Sequence, residues 1–217
     1  LTPTRAVVMD GEGTIDRLTL SAPSQNIVSI NIEGRASHAG LEPENGLSAL
    51  ILAGQVLTRL PLGRIDEETT SNIGRAEGGL KRNIIPESAY LDGEIRSRNN
   101  NKLEEISQTF LNTCKEVETE FTGSKISVEI RNSYKAYDIN PEDTAVKTVS
   151  CALNKLGLVP EYAKSGGGSD ANVFNETGIT AIPLGIGVQS FHTKIETAIL
   201  SEVCKGAQVC EHIITGN

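Results

Sequence analysis

The most constraining feature of the sequence is an ordered series of strand-like and helix-like hydrophobic patterns between residues 26 and 134. Residues 26–33 alternate apolar and polar side chains, so Val28, Ile30 and Ile32 share one face, as in a half-buried strand. A helical spacing follows over residues 45–60 and ends before Pro61. The later patterns predict strands at 69–76 and 89–96, a helix at 103–121 and a strand at 126–130.

The resulting order, β-α-β-β-α-β, is that of a ferredoxin-like domain, with one antiparallel sheet under two helices. We expect residues 25–138 to fold as a domain of their own. In the first helix, we expect an apolar stripe to face the sheet, formed by Leu47, Leu50, Ile51, Leu57 and Leu60.

The flanking segments have a different character. Residues 1–24 predict one or two strands, and residues 139–217 predict a helix, a Gly-rich loop, an apolar strand over 180–185 and a long helix from about Thr193. A continuous apolar strand between helices is typical of a parallel α/β layer. We therefore predict an α+β domain inserted in an incomplete α/β domain. The final helix is expected to pack through Ile199, Val203, Ala207, Cys210 and Ile214.

Composition excludes several classes of protein. The formal net charge of −8 and the lack of a basic stripe argue against binding to nucleic acid or to an anionic membrane surface. No apolar run approaches the roughly 20 residues of a membrane span. The four cysteines form no C-x-x-C pair, which predicts reduced, buried thiols in a cytoplasmic protein rather than a zinc cluster.

Two residues at predicted strand ends suggest a metal site. Asp10 ends the apolar run 6–9, and His192 follows a Gly-rich segment after the strand at 180–185. The ends of strands in α/β proteins collect ligands, and a carboxylate with an imidazole suits zinc, cobalt or manganese. Taken alone, His192 is more simply a loop histidine.

Other polar residues are ambiguous by themselves. His38 lies among small residues, so it either closes a loop or donates a hydrogen bond to an oxyanion of a closely approaching substrate. The Gly-rich loop 165–170 offers backbone N–H groups for an anion, although a flexible turn with Ser169 or Asp170 as helix cap is the simpler interpretation. Asn83 and Arg96, each alone, are typical of solvated surface groups.

Together these pieces resemble the M20 family of metallopeptidases, and most closely its peptidase T-like branch. The resemblance runs in order through nearly the whole chain. The matching stretches are VVMDGEGTIDRLTLSAPSQN, GRASHAGLEPENGLSAL, LGRIDEETTSNIGRAEGG, NIIPESAYLDGEIRS, SGGGSDANVF and GVQSFHTKIE.

The resemblance implies a catalytic α/β domain with two divalent metal ions, interrupted by a ferredoxin-like lid that often dimerises. It implies that Asp10 binds one metal ion and His192 the other. His38 would be the lid histidine that stabilises the tetrahedral intermediate, often in the partner subunit's site. The substrate carboxylate would be held by Asn83, Arg96 and Ser169.

The chain also departs from the family pattern. The His-x-Asp motif, the bridging Asp and the Glu-Glu pair that supply the other ligands and the general base are missing from residues 1–217. One ligand for each of two zinc ions cannot hold a dinuclear site. We therefore expect the C-terminal portion of an exopeptidase for short peptides, dimeric through its lid and inactive alone, with its metal ions absent or partial and apolar surface and strand edges uncovered.

Two other functions stay open. A member of the same fold that hydrolyses N-acyl or ureido amino acids would carry the same residues. A non-catalytic dimerisation module would carry the lid without any need for the missing ligands.

Overall fold

The computed structural model describes residues 3–191 and 193–216. The chain divides into two compact units. We call Ser24–Ser133 the inserted unit, and Leu1–Pro23 with Tyr134–Asn217 the split unit. The return from the inserted unit falls at residue 134 rather than at the expected 139, because Tyr137 and Asp138 pair with strand residues of the split unit.

The inserted unit is a five-stranded sheet with two helices, which confirms the ferredoxin-like order. Its elements are β3 (Ser24–Glu33), α1 (Ala49–Arg59), β4 (Gly63–Arg64), β5 (Thr69–Gly78), β6 (Ser88–Ser97), α2 (Asn100–Glu120) and β7 (Lys125–Tyr134). The sheet has the order β4-β5-β6-β3-β7. Strand β3 pairs antiparallel with β6 along ten residues, from Ser24 opposite Ser97 to Glu33 opposite Ser88.

Helix α1 begins later than the pattern predicted and buries a different face. Ser48 caps it by accepting a hydrogen bond from the Ile51 amide, and Leu47 instead bridges to Arg35 outside the helix. The expected stripe is wrong at Leu50 and Ile51, which are exposed, whereas its other members, Leu47, Leu57 and Leu60, pack on the core. The buried face consists of Ala49, Leu52, Ala53 and Val56.

Helix α2 buries the face that its spacing predicted. Phe110, Cys114 and Val117 are fully buried and belong to one core cluster with Val28 and Ile30 of β3. Asn99 caps the helix by accepting hydrogen bonds from the amides of residues 101 and 102.

The split unit is a mixed sheet with three helices. Its elements are β1 (Arg5–Gly11), β2 (Arg17–Ala22), β8 (Tyr137–Asp138), α3 (Thr144–Lys155), β9 (Glu161–Lys164), α4 (Asp170–Glu176), β10 (Thr180–Gly185), β11 (Val188–Gln189), β12 (Thr197–Ala198) and α5 (Leu200–Thr215). Strand β1 pairs parallel with β10, and β10 pairs antiparallel with β2. Strand β2 also pairs parallel with β9 and antiparallel with β8. Strand β1 is thus an edge strand within the described chain.

The last helix differs from its prediction in start and orientation. It begins at Leu200, because residues 197–198 pair with 188–189 as a small hairpin. Its buried residues are Glu202, Gly206 and Val209, whereas four members of the expected face are exposed, namely Ile199, Val203, Ala207 and Ile214.

The cysteines are free, but burial was predicted wrongly for two of them. Cys114 is buried, whereas Cys151 and Cys204 are exposed on helices. Among the described residues, no helix combines the length and apolar character needed to cross a membrane.

Candidate functional site

Asp10 lies at the carboxyl end of edge strand β1, and its side chain is exposed. The pairing of β1 with β10 shifts register between Val8 and Gly11, so Asp10 falls in an irregular step of the strand. Bulges of this kind redirect side chains beside functional sites. The structure thus presents the Asp10 carboxylate at the sheet edge where the sequence predicted a ligand.

The loop after Asp10 packs closely on the loop after β10. The Gly187 amide donates to the Gly13 carbonyl oxygen (2.8 Å), and the Ile186 amide donates to the Gly11 carbonyl oxygen (3.3 Å). A Cβ at Gly185 would overlap the Thr14 carbonyl oxygen, so only glycine permits this approach. The loop that follows Asp10 and the loop that follows β10 are therefore in contact in space, although they lie far apart in sequence.

His192 itself lies outside the described residues. In sequence it falls in the loop of the β11–β12 hairpin, in which Gln189 pairs with Thr197. Ser190, two residues earlier, has a φ of 57°, a left-handed conformation that is uncommon for serine. The Thr193 amide and hydroxyl both donate to the Ser190 carbonyl oxygen, at 3.2 and 2.7 Å.

Glu202 ties the same two loops to helix α5. It is 7 % exposed, and its Oε2 accepts a hydrogen bond from the Ile15 amide (3.0 Å). Its Oε1 accepts from Lys205 Nζ (2.8 Å). These two bonds, the backbone one first, hold the pKa of the Glu202 carboxyl below its ordinary value. Gly187 packs directly on Glu202, because a Cβ there would lie 2.5 Å from the Glu202 Cβ.

The described residues do not make a metal centre by themselves. Within 3–191 and 193–216, no three His, Cys, Asp or Glu side chains gather in an arrangement that could hold an ion. A catalytic zinc ordinarily has three protein ligands. Asp10 is thus one isolated candidate ligand in this part of the chain.

His38 has a defined tautomer in the inserted unit. Its Nδ1 accepts hydrogen bonds from the amides of Gly40 (3.2 Å) and Leu41 (3.1 Å). An imidazole nitrogen that accepts bears no proton, so in the neutral ring the proton is on Nε2. The ring is exposed, and its Nε2–H is a donor directed away from this turn.

Asn83 lies beside His38, whereas Arg96 lies at the other end of the sheet. The Ala39 amide donates to the Asn83 carbonyl oxygen (3.1 Å), and His38 bridges to Ile84. Arg96 is eight positions after Ser88 along β6, a separation of about 26 Å at the rise of a strand. The structure brings together two of the three lid residues and separates the third.

The Arg96 guanidinium is already paired with a carboxylate. Its Nε and Nη2 donate to the two oxygens of Glu94, at 2.9 and 2.8 Å, in the fork geometry that arginine uses for carboxylates. Both side chains are partly exposed. A second carboxylate would therefore meet this guanidinium with two of its donors in use.

Ser169 caps helix α4 as the sequence alternative proposed. Its Oγ accepts from the Ala171 amide (3.3 Å), while its own amide donates to Asn172 Oδ1 (3.0 Å). The Gly167 amide donates to Ser165 Oγ (2.9 Å). Two backbone donors of the loop are consequently bonded within it, so the loop offers fewer N–H groups to an anion than predicted.

Sequence reasoning missed two buried polar residues, Glu202 and Asn172. Both lie among helix residues that read as ordinary surface positions. The only signal for Asn172 is its place three residues after Ser169, the spacing of a capping box. For Glu202, the only sequence signal of burial is Gly206, one helical turn later. A glycine on a helix allows close packing, so the face of α5 that carries Glu202 and Gly206 is the one that packs on the sheet.

Comparison with known proteins shows what the chain is similar to. Residues 27–122 match the M20 peptidase dimerisation domain. Over 99 % of this chain, the sequence is 34 % identical to aminopeptidase PepT of Bacillus cereus ATCC 10987, with a TM-score of 0.84. It is also similar to a Staphylococcus aureus tripeptidase, at 30 % identity and a TM-score of 0.84 over 99 % of this chain.

A third similar protein is the uncharacterized protein YqjE of Bacillus subtilis strain 168, which is 36 % identical over 99 % of this chain. The chain spans 57 % of the length of each of these three proteins. The resemblance inferred from the motifs, to the peptidase T-like branch of the M20 family, is confirmed.

Proposed function

We propose that this chain is part of a metal-dependent exopeptidase that acts on short peptides. The proposal is supported by its likeness to an aminopeptidase and a tripeptidase. The observation that carries it is the placement of Asp10 on an irregular strand end, packed next to the loop that leads to His192. These are the positions from which an α/β sheet presents ligands.

His38 would stabilise the oxyanion that forms when the scissile carbonyl is attacked. The role needs a hydrogen-bond donor, and because the two amides bond Nδ1, that donor is the Nε2–H group. Because both amides belong to the turn that follows His38, the ring orientation is fixed before substrate binds.

The length of β6 implies that the site is assembled from two chains. A tripeptide spans only about 11 Å when extended, less than half of the roughly 26 Å along β6 between Ser88 and Arg96. His38 lies near the Ser88 end of β6, since it bridges to Ile84, so a short substrate is not expected to span His38 and Arg96 of one chain. We therefore propose that His38 and Asn83 of a chain act in one site of a dimer and that Arg96 of the same chain acts in the other.

The dimer would form through the β5 edge and helix α1. Strand β4 pairs only with Thr70 and Ser71, so the outer side of β5 is unpaired over 72–78 within the described chain. Next to it, Leu50 contacts Gly79, and Ile51 of α1 is 61 % exposed. An open strand edge beside exposed apolar side chains is typical of a protein interface.

The resemblance assigns the substrate carboxylate to Arg96 and to Ser169, and we propose that each can donate to such an anion. The Glu94 pairing occupies at least two donors of the Arg96 guanidinium, and a substrate carboxylate would either share the guanidinium or displace Glu94. Since Ser169 Oγ already accepts a hydrogen bond, its proton is free to be donated to such an anion.

For the metal site, we propose that Asp10 and His192 each supply one ligand, and that the remaining ligands come from residues beyond this chain. On this proposal the 217-residue chain is inactive alone. The test is hydrolysis of a tripeptide, a dipeptide, an N-acetyl amino acid and a ureido acid, with zinc, cobalt or manganese added, by this chain and by the complete protein.

The outcomes separate the three functions. Cleavage of tripeptides by the complete protein, lost in Asp10→Ala, supports the exopeptidase. Preference for the acyl or ureido substrates favours the amidohydrolase, and no hydrolysis of any substrate favours a dimerisation module. Metal-dependent tripeptide hydrolysis by the 217-residue chain at the rate of the complete protein would contradict the proposed division of ligands.

A further inference from the structure

The chain passes between its two units twice, and one buried side chain bonds to both crossings. Asn172, in α4 of the split unit, is 1 % exposed. Its Nδ2 donates hydrogen bonds to the carbonyl oxygens of Pro23 (3.0 Å) and Lys135 (2.8 Å). Pro23 is the last residue before the inserted unit, and Lys135 is the second residue after it.

The remaining polar atom of the same carboxamide is also bonded. Asn172 Oδ1 accepts from the Ser169 amide (3.0 Å), so both N–H donors and the carbonyl acceptor of the side chain have partners. Buried polar networks whose members are all satisfied are rigid and specify one arrangement.

Two further contacts hold the return crossing against the same segment. The Tyr134 ring rests on Gly168, where a Cβ would overlap the ring. Lys135 Nζ forms an ion pair with Glu176 Oε1 at the end of α4 (2.7 Å). The start and the end of one short helix therefore both contact the chain as it re-enters the split unit.

We infer that Asn172 is a positioning residue that ties the two crossings to each other and to α4 within the split unit, so that the crossings act as one joint rather than as two independent linkers. Removing the carboxamide leaves two carbonyl groups without their protein donor and frees the crossings from each other. None of these contacts involves a substrate or a metal ion, so this role of Asn172 does not depend on the proposed peptidase activity.

Asn175 provides a matched control on the same helix. Its Nδ2 donates to the carbonyl oxygens of Ala171 (2.8 Å) and Ala181 (2.9 Å), and its Oδ1 accepts from the Ala181 amide (3.3 Å). Asn175→Ala therefore removes as many hydrogen bonds as Asn172→Ala, but it touches neither crossing.

The test measures the distance between spin labels on the two units by pulsed electron paramagnetic resonance. Exposed Cys151 carries one label, and Glu104→Cys on the exposed side of α2 carries the other, with Cys204 and Cys210 changed to serine. Cys114 is buried and is left unchanged. Dilution with unlabelled chain removes distances between copies.

We expect Asn172→Ala to broaden the distance distribution and Asn175→Ala to leave it as in the unsubstituted chain. Asn172→Asp, which keeps the size of the side chain but loses both donors, should broaden it as well. An unchanged distribution in both Asn172 variants overturns the inference, as does equal broadening in Asn175→Ala.

A measurement on the unsubstituted chain keeps the inference testable should Asn172→Ala not fold. By hydrogen exchange, residues 134–138 and 169–172 should be protected to the same degree, because one side chain joins them. Exchange of residues 134–138 at the rate of an open loop, while α4 is protected, would overturn the inference.

Discussion

The Gly187 amide donates a hydrogen bond to the carbonyl oxygen of Gly13 over 2.8 Å, and so joins the loop after Asp10 to the loop that leads to His192. Glu202 supports the same junction from α5 through the Ile15 amide. Because the junction consists of backbone groups in close contact, added volume or a lost charge there should have measurable effects.

Gly185→Ala should strongly destabilise the split unit. The added Cβ would overlap the Thr14 carbonyl oxygen, and backbone cannot move aside as a side chain can. We expect the free energy of unfolding to fall by about 3 kcal/mol, the upper range for overpacking. Urea denaturation followed by circular dichroism measures it.

Gly166→Ala is the control, since nothing lies within 4 Å of a Cβ at that exposed glycine. Its effect should stay within about 0.5 kcal/mol, as for most surface substitutions. Equal denaturation midpoints for the two variants would show that the contact at Gly185 is not tight.

Glu202 should make the stability of the split unit depend on pH. Its pKa is held below the ordinary 4.5, chiefly by the bond from the Ile15 amide and then by Lys205. A carboxylate with a lowered pKa stabilises the fold above its ordinary pKa, and this contribution is lost as pH falls through the folded-state pKa. Glu202→Gln should cost about 1–2 kcal/mol at pH 7.

The same variant should lose less stability than the unsubstituted chain when the pH is lowered to about 3, because it lacks the group that titrates. Glu142→Gln is the control, because the pKa of Glu142 is also lowered but its pair with Lys147 is exposed. Parallel pH profiles for all three proteins would exclude this role of Glu202.

Ile51→Glu should prevent dimer formation through the inserted unit. Ile51 is 61 % exposed on α1, beside the open edge of β5, and a carboxylate there would lose its hydration in an apolar interface. Sedimentation velocity should show a monomer for this variant. Leu111→Glu, at an exposed position of α2, should behave as the unsubstituted chain, and a dimeric Ile51→Glu would place the interface elsewhere.

The four cysteines should react at very different rates. Burial raises the pKa of the Cys114 thiol to about 12, so the reactive thiolate is scarce and inaccessible. Cys151 and Cys204 are exposed. Titration with a thiol reagent at pH 7.5 should modify these two first, and modification of Cys114 should await denaturation. Early labelling of Cys114, located by mass spectrometry, would contradict its burial.

Hydrophobic period predicted the element types in the inserted unit because its sheet has one buried face, and Val28, Ile30 and Ile32 lie on it as expected. The same hydrophobic spacing did not predict correctly which face of helices α1 and α5 is buried. In α1, Leu50 and Ile51 are as apolar as the buried Leu52, so spacing alone cannot tell a core face from an interface face.

The buried face of α5 was missed because it carries Glu202 and Gly206, a charge and a residue without a side chain. Partners far along the chain explain both: Glu202 bonds the Ile15 amide, and Gly206 admits Met9. Asp10 at its strand end and His38 in its turn were predictable from local pattern. The distance between Asn83 and Arg96 required knowledge of how β6 runs.

The length of β6 has a genetic consequence. If His38 and Arg96 at its two ends act in different sites of a dimer, then a His38→Ala chain and an Arg96→Ala chain are each defective for a different reason. Mixed within one cell, they would form hybrid dimers in which both lesions fall on the same site and the other site is intact. Two alleles that each fail alone would then restore part of the activity together, which is intragenic complementation.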